Sequence, residues 1–219
     1  MVTRTLQRIA FFSLLFLFLI TPLRAQERTV WQMGTFDVSS NEFRNQGIDY
    51  ADPKSDPVFK IGESVDGKDW PRFQPGPANG MAGGRVHPFT IVFDLNEKPS
   101  GSYRLTIAML YETPRLSHLR LEINGHAGLF YFKPKLNYQA GDWEGTFVPQ
   151  TSTDTKVIEI PTLWLKQGEN RFVLEALDDP NVAQNSLGSI ALGHTGIIYD
   201  ALNSPSLPLK RTWCQIRKP

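Results

Sequence analysis

The sequence is poor in the residues that build covalent or metal-held frameworks. Its 219 residues include one cysteine, Cys214, and four histidines. A single thiol cannot form an internal disulfide bond, so the fold must depend on a hydrophobic core. The histidines lack the i, i+4 spacing that places two metal ligands on one helical face, so we expect them to be surface or loop residues: His87, His118, His126 and His194.

Long hydrophobic runs and a strong net charge are also missing beyond the N-terminus. Residues 1–25 place Arg4 and Arg8 ahead of an apolar run, residues 9–20, that is too short to cross a bilayer. This order is typical of a secretory signal peptide, and we expect cleavage after Ala25 and a secreted or periplasmic protein. The remaining chain has 20 basic and 22 acidic side chains, a balance that argues against nucleic acid or a membrane surface as a partner.

The short motifs of common enzyme classes are absent as well. There is no nucleophile elbow, phosphate-binding loop or dinucleotide fingerprint, and the segment NGMAGGR lacks the strand and helix that such a loop requires. Several carboxylates could in principle form the acid and base pair of a glycosidase, but spacing alone cannot pair them: Asp37, Asp66, Asp69, Asp94 and Asp200. We therefore assign no catalytic residue.

What the sequence does contain is a two-residue alternation of apolar and polar side chains, which indicates strands with one face on a core. The pattern runs through TIVFDL, SYRLTIAML, SHLRLEI, KVIEI and NRFVLEAL, and Asn124 with Gly125 suits a tight hairpin turn. Helical periodicity is lacking. The pattern predicts an all-β fold of two packed antiparallel sheets over residues 26–204, followed by a C-terminal tail, residues 205–219.

Aromatic residues also occur in segments rich in glycine and proline, beginning with DWPRFQPGPANGMAGGRVHPF, residues 69–89. A large ring on a loop either closes the edge of a core or meets a ligand. Sugars present apolar C–H faces to flat rings, while neighbouring polar groups bind their hydroxyls. The candidate sugar-binding residues are Trp70, Tyr131, Tyr138 and Trp143, with Arg72 as a polar partner. The core alternative stays open for Trp70 and Trp143.

Four segments, in order, resemble the third domain of the rhamnogalacturonan lyases of polysaccharide lyase family 4. These segments are WQMGTFDVSSNEF, DPVFKIGESVDGKDWPRFQPG, FTIVFDLNEKPSGSYRLTIAML and GHTGIIYDAL. The resemblance implies a jelly-roll, galactose-binding-like sandwich that is similar to carbohydrate-binding modules. It also implies that lyase chemistry belongs to a larger N-terminal domain, so none of the family's catalytic residues can be placed on this chain.

Our leading hypothesis is therefore a secreted, noncatalytic domain that binds pectic, rhamnogalacturonan-type or related polysaccharide. The first alternative is an accessory part or remnant of a lyase whose catalytic domain is a separate chain. The second alternative is a β-sandwich that has a structural or protein-interaction role and binds no sugar. We expect no cofactor, although a structural calcium ion stays open because sandwiches of this kind often hold one.

Overall fold

The computed structural model describes residues 28–77, 79, 84–111, 118–131, 138–140, 147–149, 152–177 and 196–207. Within these segments the chain forms short helical turns at Pro53–Ser55, Asp66–Asp69 and Thr162–Trp164. The other regular elements are strands, which turns and loops connect. The strands are β1 (Arg28–Gly34), β2 (Val58–Lys60), β3 (Phe73–Pro75), β4 (Pro88–Leu95), β5 (Ser102–Tyr111), β6 (His118–Ile123), β7 (His126–Phe130), β8 (Tyr138–Ala140), β9 (Phe147–Pro149), β10 (Ser152–Ile160), β11 (Gly168–Leu177) and β12 (Gly196–Leu207).

Two five-stranded sheets make up the domain. Sheet I has the order β1-β12-β5-β10, with β3 pairing β12 beyond the end of β1, and sheet II has the order β2-β4-β11-β6-β7. Strands β8 and β9 pair only with each other in a small ribbon. The predicted all-β sandwich is confirmed. One pairing departs from the antiparallel prediction, because β2 runs parallel to β4. The chain between them crosses to the other sheet and forms β3, and such a crossover permits parallel pairing.

The core lies between the inner faces of the two sheets. The alternation read from the sequence places its apolar positions there, and these side chains are buried in one continuous cluster: Ile91, Phe93, Leu95, Leu105, Ile107, Met109, Leu119, Leu121, Ile123, Ile158, Ile160, Phe172 and Leu174. Trp31 is also buried, and its ring meets Phe93 and Phe172. The apolar pattern thus identifies the inner face of each central strand.

Hydrogen bonds between side chains and backbone hold the turns at one end of the sandwich. Asn124 and Gly125 have φ angles of 48° and 90°, so they form the predicted tight turn between β6 and β7. The side-chain amide of Asn124 donates to the carbonyl oxygen of Trp164 at 2.7 Å and to Oδ1 of buried Asn170 at 2.9 Å. The turn between β6 and β7 is therefore tied to the connection between β10 and β11 and to the start of β11.

The two ends of the sandwich differ in the length of their connections. At the end that holds Asn124, here called the turn end, the connections are short: residues 96–101, 124–125 and 161–167. At the opposite end, here called the loop end, three connections are longer: residues 76–87, 131–151 and 178–195. Long connections on a rigid scaffold are where binding residues concentrate, so the loop end is the natural place to look for a site.

No helix in the described part of the chain is both long and apolar enough to cross a membrane. The predicted signal peptide and Cys214 lie outside the described residues. Strand β12 continues through Leu207, so residues 205–207 of the predicted tail belong to sheet I.

Candidate functional site

Trp70 lies in the core. It directly follows the helical turn Asp66–Asp69, and its ring packs edge to face against Phe59 and Phe89, with centroids 6.1 and 5.2 Å away. None of its surface is exposed. This burial contradicts the predicted contact of Trp70 with sugar, because no face of the ring is open to a ligand. Trp70 and Phe89 of the Gly- and Pro-rich segment therefore close the core, as the alternative interpretation held for Trp70.

Arg72 is half-buried beside β3, at the edge of sheet I. Its backbone N–H donates to the carbonyl oxygen of Arg44 at 3.0 Å. Its charge, like that of Arg44, acts on half-buried Tyr50 and partly opposes the rise in the pKa of that phenol. Tyr131 lies at the other side of the sandwich, next to β10. The structure therefore does not bring Arg72 and Tyr131 into one site.

A charged cluster fastens the loop that leads into β2 to the base of the loop that precedes β4. Arg85 binds both carboxylate oxygens of Asp56, at 2.6 and 2.9 Å, and donates to the carbonyl oxygens of Tyr50 and Asp52 at 3.1 Å each. Nδ1 of fully buried His87 lies 3.1 Å from Oδ1 of Asp56. Such charge-assisted, two-pronged contacts are strong and directional. We interpret this cluster as a clamp that holds the loop end in shape.

Tyr131, one of the predicted binding residues, is open to solvent. Of its surface, 57% is exposed. It directly follows β7, and its ring lies 4.4 Å from the ring of His118 in an edge-to-face arrangement. The ammonium group of Lys156, from the facing edge strand β10, donates to the carbonyl oxygen of Tyr131 at 2.7 Å. His118 thus contacts the exposed ring itself and Lys156 fixes the backbone that carries it, as a sugar-stacking ring requires.

A row of charged side chains lies on the same outer face of sheet II. The pairing of β11, β6 and β7 sets Glu175, Arg120 and Leu129 side by side. Arg120 donates to Oε2 of Glu175 at 2.6 Å and to Oε2 of Glu122 at 2.8 Å. The hydrogen bond that Arg120 donates to Glu175, and then the one that it donates to Glu122, raise the pKa of Arg120 above its usual value. The guanidinium group therefore stays charged and fixed between two carboxylates.

We call this surface the outer-face platform, and it consists of His118, Arg120, Glu122, Leu129, Tyr131 and Glu175. Leu129 is 45% exposed and shares the outward side of β7 with Tyr131, since alternate residues of a strand point the same way. An exposed ring beside fixed polar groups is the combination that a sugar needs. Sequence reasoning recognised that Arg120 and Glu122 point outward, but it could not find the partner Glu175, which lies 55 residues away.

The remaining predicted site residues lie in the connection between β7 and β10. Tyr138 begins strand β8, where its backbone pairs with Pro149, and Trp143 lies outside the described residues. This connection leaves sheet II at Tyr131 and enters sheet I at Ser152, so both of its attachment points are at the loop end. Among the described residues, no group of three or more His, Cys, Asp or Glu side chains could hold a metal ion.

The profile of the carbohydrate-binding-module-like domain III of polysaccharide lyase family 4 matches residues 29–203. The chain belongs to this family. The matched range begins in β1 and ends in β12, so the family domain comprises both sheets of the sandwich. Membership confirms the resemblance drawn from the four sequence segments and makes this a carbohydrate-binding-module-like domain.

Two solved structures are also similar to the chain. One is a family 35 carbohydrate-binding module from an environmental isolate, with 12% identity and a TM-score of 0.32 over 85% of this chain and 96% of that one. The other is a family GH115 4-O-methyl-α-glucuronidase with specificity for decorated arabinogalactans, with 11% identity and a TM-score of 0.31 over 84% of this chain and 18% of that one. No curated protein matches the sequence.

Proposed function

We propose that this domain is a secreted, noncatalytic module that binds pectic, rhamnogalacturonan-type or related polysaccharide through the outer-face platform. The observation that carries the proposal is the exposed ring of Tyr131, held by His118 and placed next to the hydrogen-bonded row of Arg120 with its two glutamates. A sugar ring stacks on Tyr131, and its hydroxyls bind the charged row. Membership of a carbohydrate-binding-module-like family supports the same ligand class.

The connection between β7 and β10 extends the same binding surface in this proposal. It carries Tyr138 and Trp143 and begins at the platform residue Tyr131. Trp143, flanked in the sequence by Gly141, Asp142, Glu144 and Gly145, stays predicted as a second stacking ring. A separate lyase chain is the proposed biological partner, since the family domain is a part of polysaccharide lyases. The module would hold that catalytic chain on its polymer.

The platform is tested by replacing Tyr131 with Ala and measuring affinity for pectic polysaccharides by affinity electrophoresis. The substitution removes a stacking contact made only in the complex, so we expect about a tenfold loss of affinity, equivalent to about 1.4 kcal/mol. Tyr131→Phe should keep most of the affinity because it keeps the ring. The free energy of unfolding should change by less than about 0.5 kcal/mol, as for other exposed positions.

The matched control is Phe36→Ala, which removes another exposed aromatic ring, 41% exposed, from the loop that follows β1. This loop is at the opposite side of the sandwich from β7, so binding should be unchanged. Equal losses for Tyr131→Ala and Phe36→Ala would contradict the assignment of the platform. If the wild-type domain is retarded by no acidic or neutral glycan, carbohydrate binding itself is wrong.

A further inference from the structure

The two glutamates of the outer-face platform are fixed hydrogen-bond acceptors. Each gives one carboxylate oxygen, Oε2, to Arg120. The second oxygen of each carboxylate accepts no hydrogen bond from the described residues. Glu122 has 34% of its side chain exposed and Glu175 has 18%, so both side chains are partly open to solvent while Arg120 holds them in place. An ionised carboxylate only accepts hydrogen bonds, so its ligand must donate them.

The charges around Arg120 do not cancel. Arg120 contributes one positive charge and the two glutamates beside it contribute two negative charges, while the ammonium group of Lys156 lies at the Tyr131 end, where it donates to the carbonyl oxygen of Tyr131. Both hydrogen-bonding ends of the guanidinium group are already directed at Glu122 and Glu175. Arg120 is therefore poorly placed to bind the carboxylate of a ligand, and the charge around Glu122 and Glu175 is net negative.

We propose that the platform selects neutral sugars over uronic acids. This inference rests on the proposed function and specifies its ligand. The hydroxyls of a neutral sugar donate to Glu122 and Glu175 while its C–H face packs on Tyr131. A uronate at the same place would bring a third carboxylate next to two others, and like charges brought together oppose binding. In a pectic polymer, the platform would thus bind neutral segments and leave the polyuronate segments unbound.

Isothermal titration with two probes of equal length, a neutral galacto-oligosaccharide and an oligogalacturonide, tests this selection at low ionic strength. We expect the wild-type domain to bind the neutral probe about tenfold more tightly. Because exposed charges are screened by salt, adding about 0.5 M NaCl should strengthen oligogalacturonide binding and leave the neutral probe almost unchanged.

The diagnostic variant is Glu122→Gln, which keeps the side-chain shape and removes one negative charge. We expect it to weaken binding of the neutral probe several-fold and to strengthen binding of the oligogalacturonide, so the two affinities converge. Glu159→Gln is the matched control, since Glu159 also pairs with an arginine, Arg104 at 3.0 Å, but does so in sheet I. It should change neither affinity, and thermal melting of both variants checks the fold.

The outcomes separate this inference from the proposed function. If the oligogalacturonide binds as tightly as the neutral probe at low salt, or if Glu122→Gln shifts both affinities in the same direction, charge selection is wrong while the platform stands. If Tyr131→Ala leaves both affinities unchanged, or if neither probe binds, the assignment of the platform as the binding surface is wrong. The proposed selection for neutral sugars is then wrong as well.

Discussion

Trp70 shows how one residue can close the side of a small core. Its ring is enclosed by Phe59 from sheet II and Phe89 from the start of β4, and none of its surface is exposed. Trp70→Ala would leave a large cavity, so we expect the free energy of unfolding to fall by about 3–5 kcal/mol in urea denaturation. Phe36→Ala, at an exposed position, should change it by less than about 0.5 kcal/mol. A similarly small loss for Trp70→Ala would contradict its place in the core.

Tyr50 gives the domain a specific sensitivity to alkali. Its phenol donates to the carbonyl oxygen of Phe73 at 2.5 Å, and burial raises its pKa to about 12, partly opposed by Arg44 and Arg72. The unfolded chain loses this proton near pH 10, before the folded protein does. The contribution of Tyr50 to stability is therefore complete below about pH 10 and is lost as the pH rises toward 12.

Tyr50→Phe lacks this titration and serves as the comparison. We expect the difference in unfolding free energy between wild type and Tyr50→Phe to shrink as the pH rises from about 10 to about 12. Other alkaline transitions affect both proteins and cancel in the difference. A difference that stays constant over this range would show that the phenol keeps an ordinary pKa in the folded state.

Single residues also show where sequence reasoning reaches its limit. Alternation in β6 correctly set Arg120 and Glu122 on the outer face, because facing depends only on position along one strand. Their contact with Glu175 depends on which strands are neighbours and in what register, and local pattern contains neither fact. Trp70 was misjudged for a related reason. Its polar and flexible flanks suggested a loop, but the burial of a ring is decided by distant side chains.

At the scale of elements, the strands with a regular alternation were predictable, whereas the three-residue strands were not, and neither was β12, the longest strand, from its alternation. β4, β5, β6, β10 and β11 each carry enough alternating positions to reveal their period. β2, β3, β8 and β9 have three residues each, too few to show one. Such strands form because a neighbour offers backbone partners, so they belong to the assembled sheet rather than to the local sequence.

The inner faces of the central strands provide a direct test of the packing. Leu121 in sheet II and Ile107 in sheet I are both buried. We expect Leu121→Ala and Ile107→Ala each to lower the free energy of unfolding by about 2–5 kcal/mol, through lost burial and the cavity left behind. Val157→Ala, on an exposed position of β10, is the control and should cost less than about 0.5 kcal/mol. Losses below about 1 kcal/mol at both buried sites would contradict the facing assigned here.

For the molecule as a whole, the division between turn end and loop end separates stability from binding. Asn124 and Asn170 fix the connections of the turn end with side-chain hydrogen bonds. At the loop end, the clamp of Arg85 and Asp56 holds the base of the longer connections. The outer-face platform reaches this end at Tyr131, where the edge strands β7 and β10 of the two sheets are joined by Lys156. A bound ligand should therefore reduce local opening most strongly where β7 and β10 meet.

Hydrogen exchange of the backbone amides, with and without a saturating neutral galacto-oligosaccharide, tests that expectation across the whole chain. A ligand that stacks on Tyr131 stabilises the bound form and suppresses local opening of the segments it contacts. We expect slower exchange at the end of β7, in β6 around Arg120 and at the start of β10. The hairpin at Asn124 and Gly125, at the turn end, should exchange at the same rate in both states. Protection confined to that hairpin or to β1 would place the ligand away from the platform.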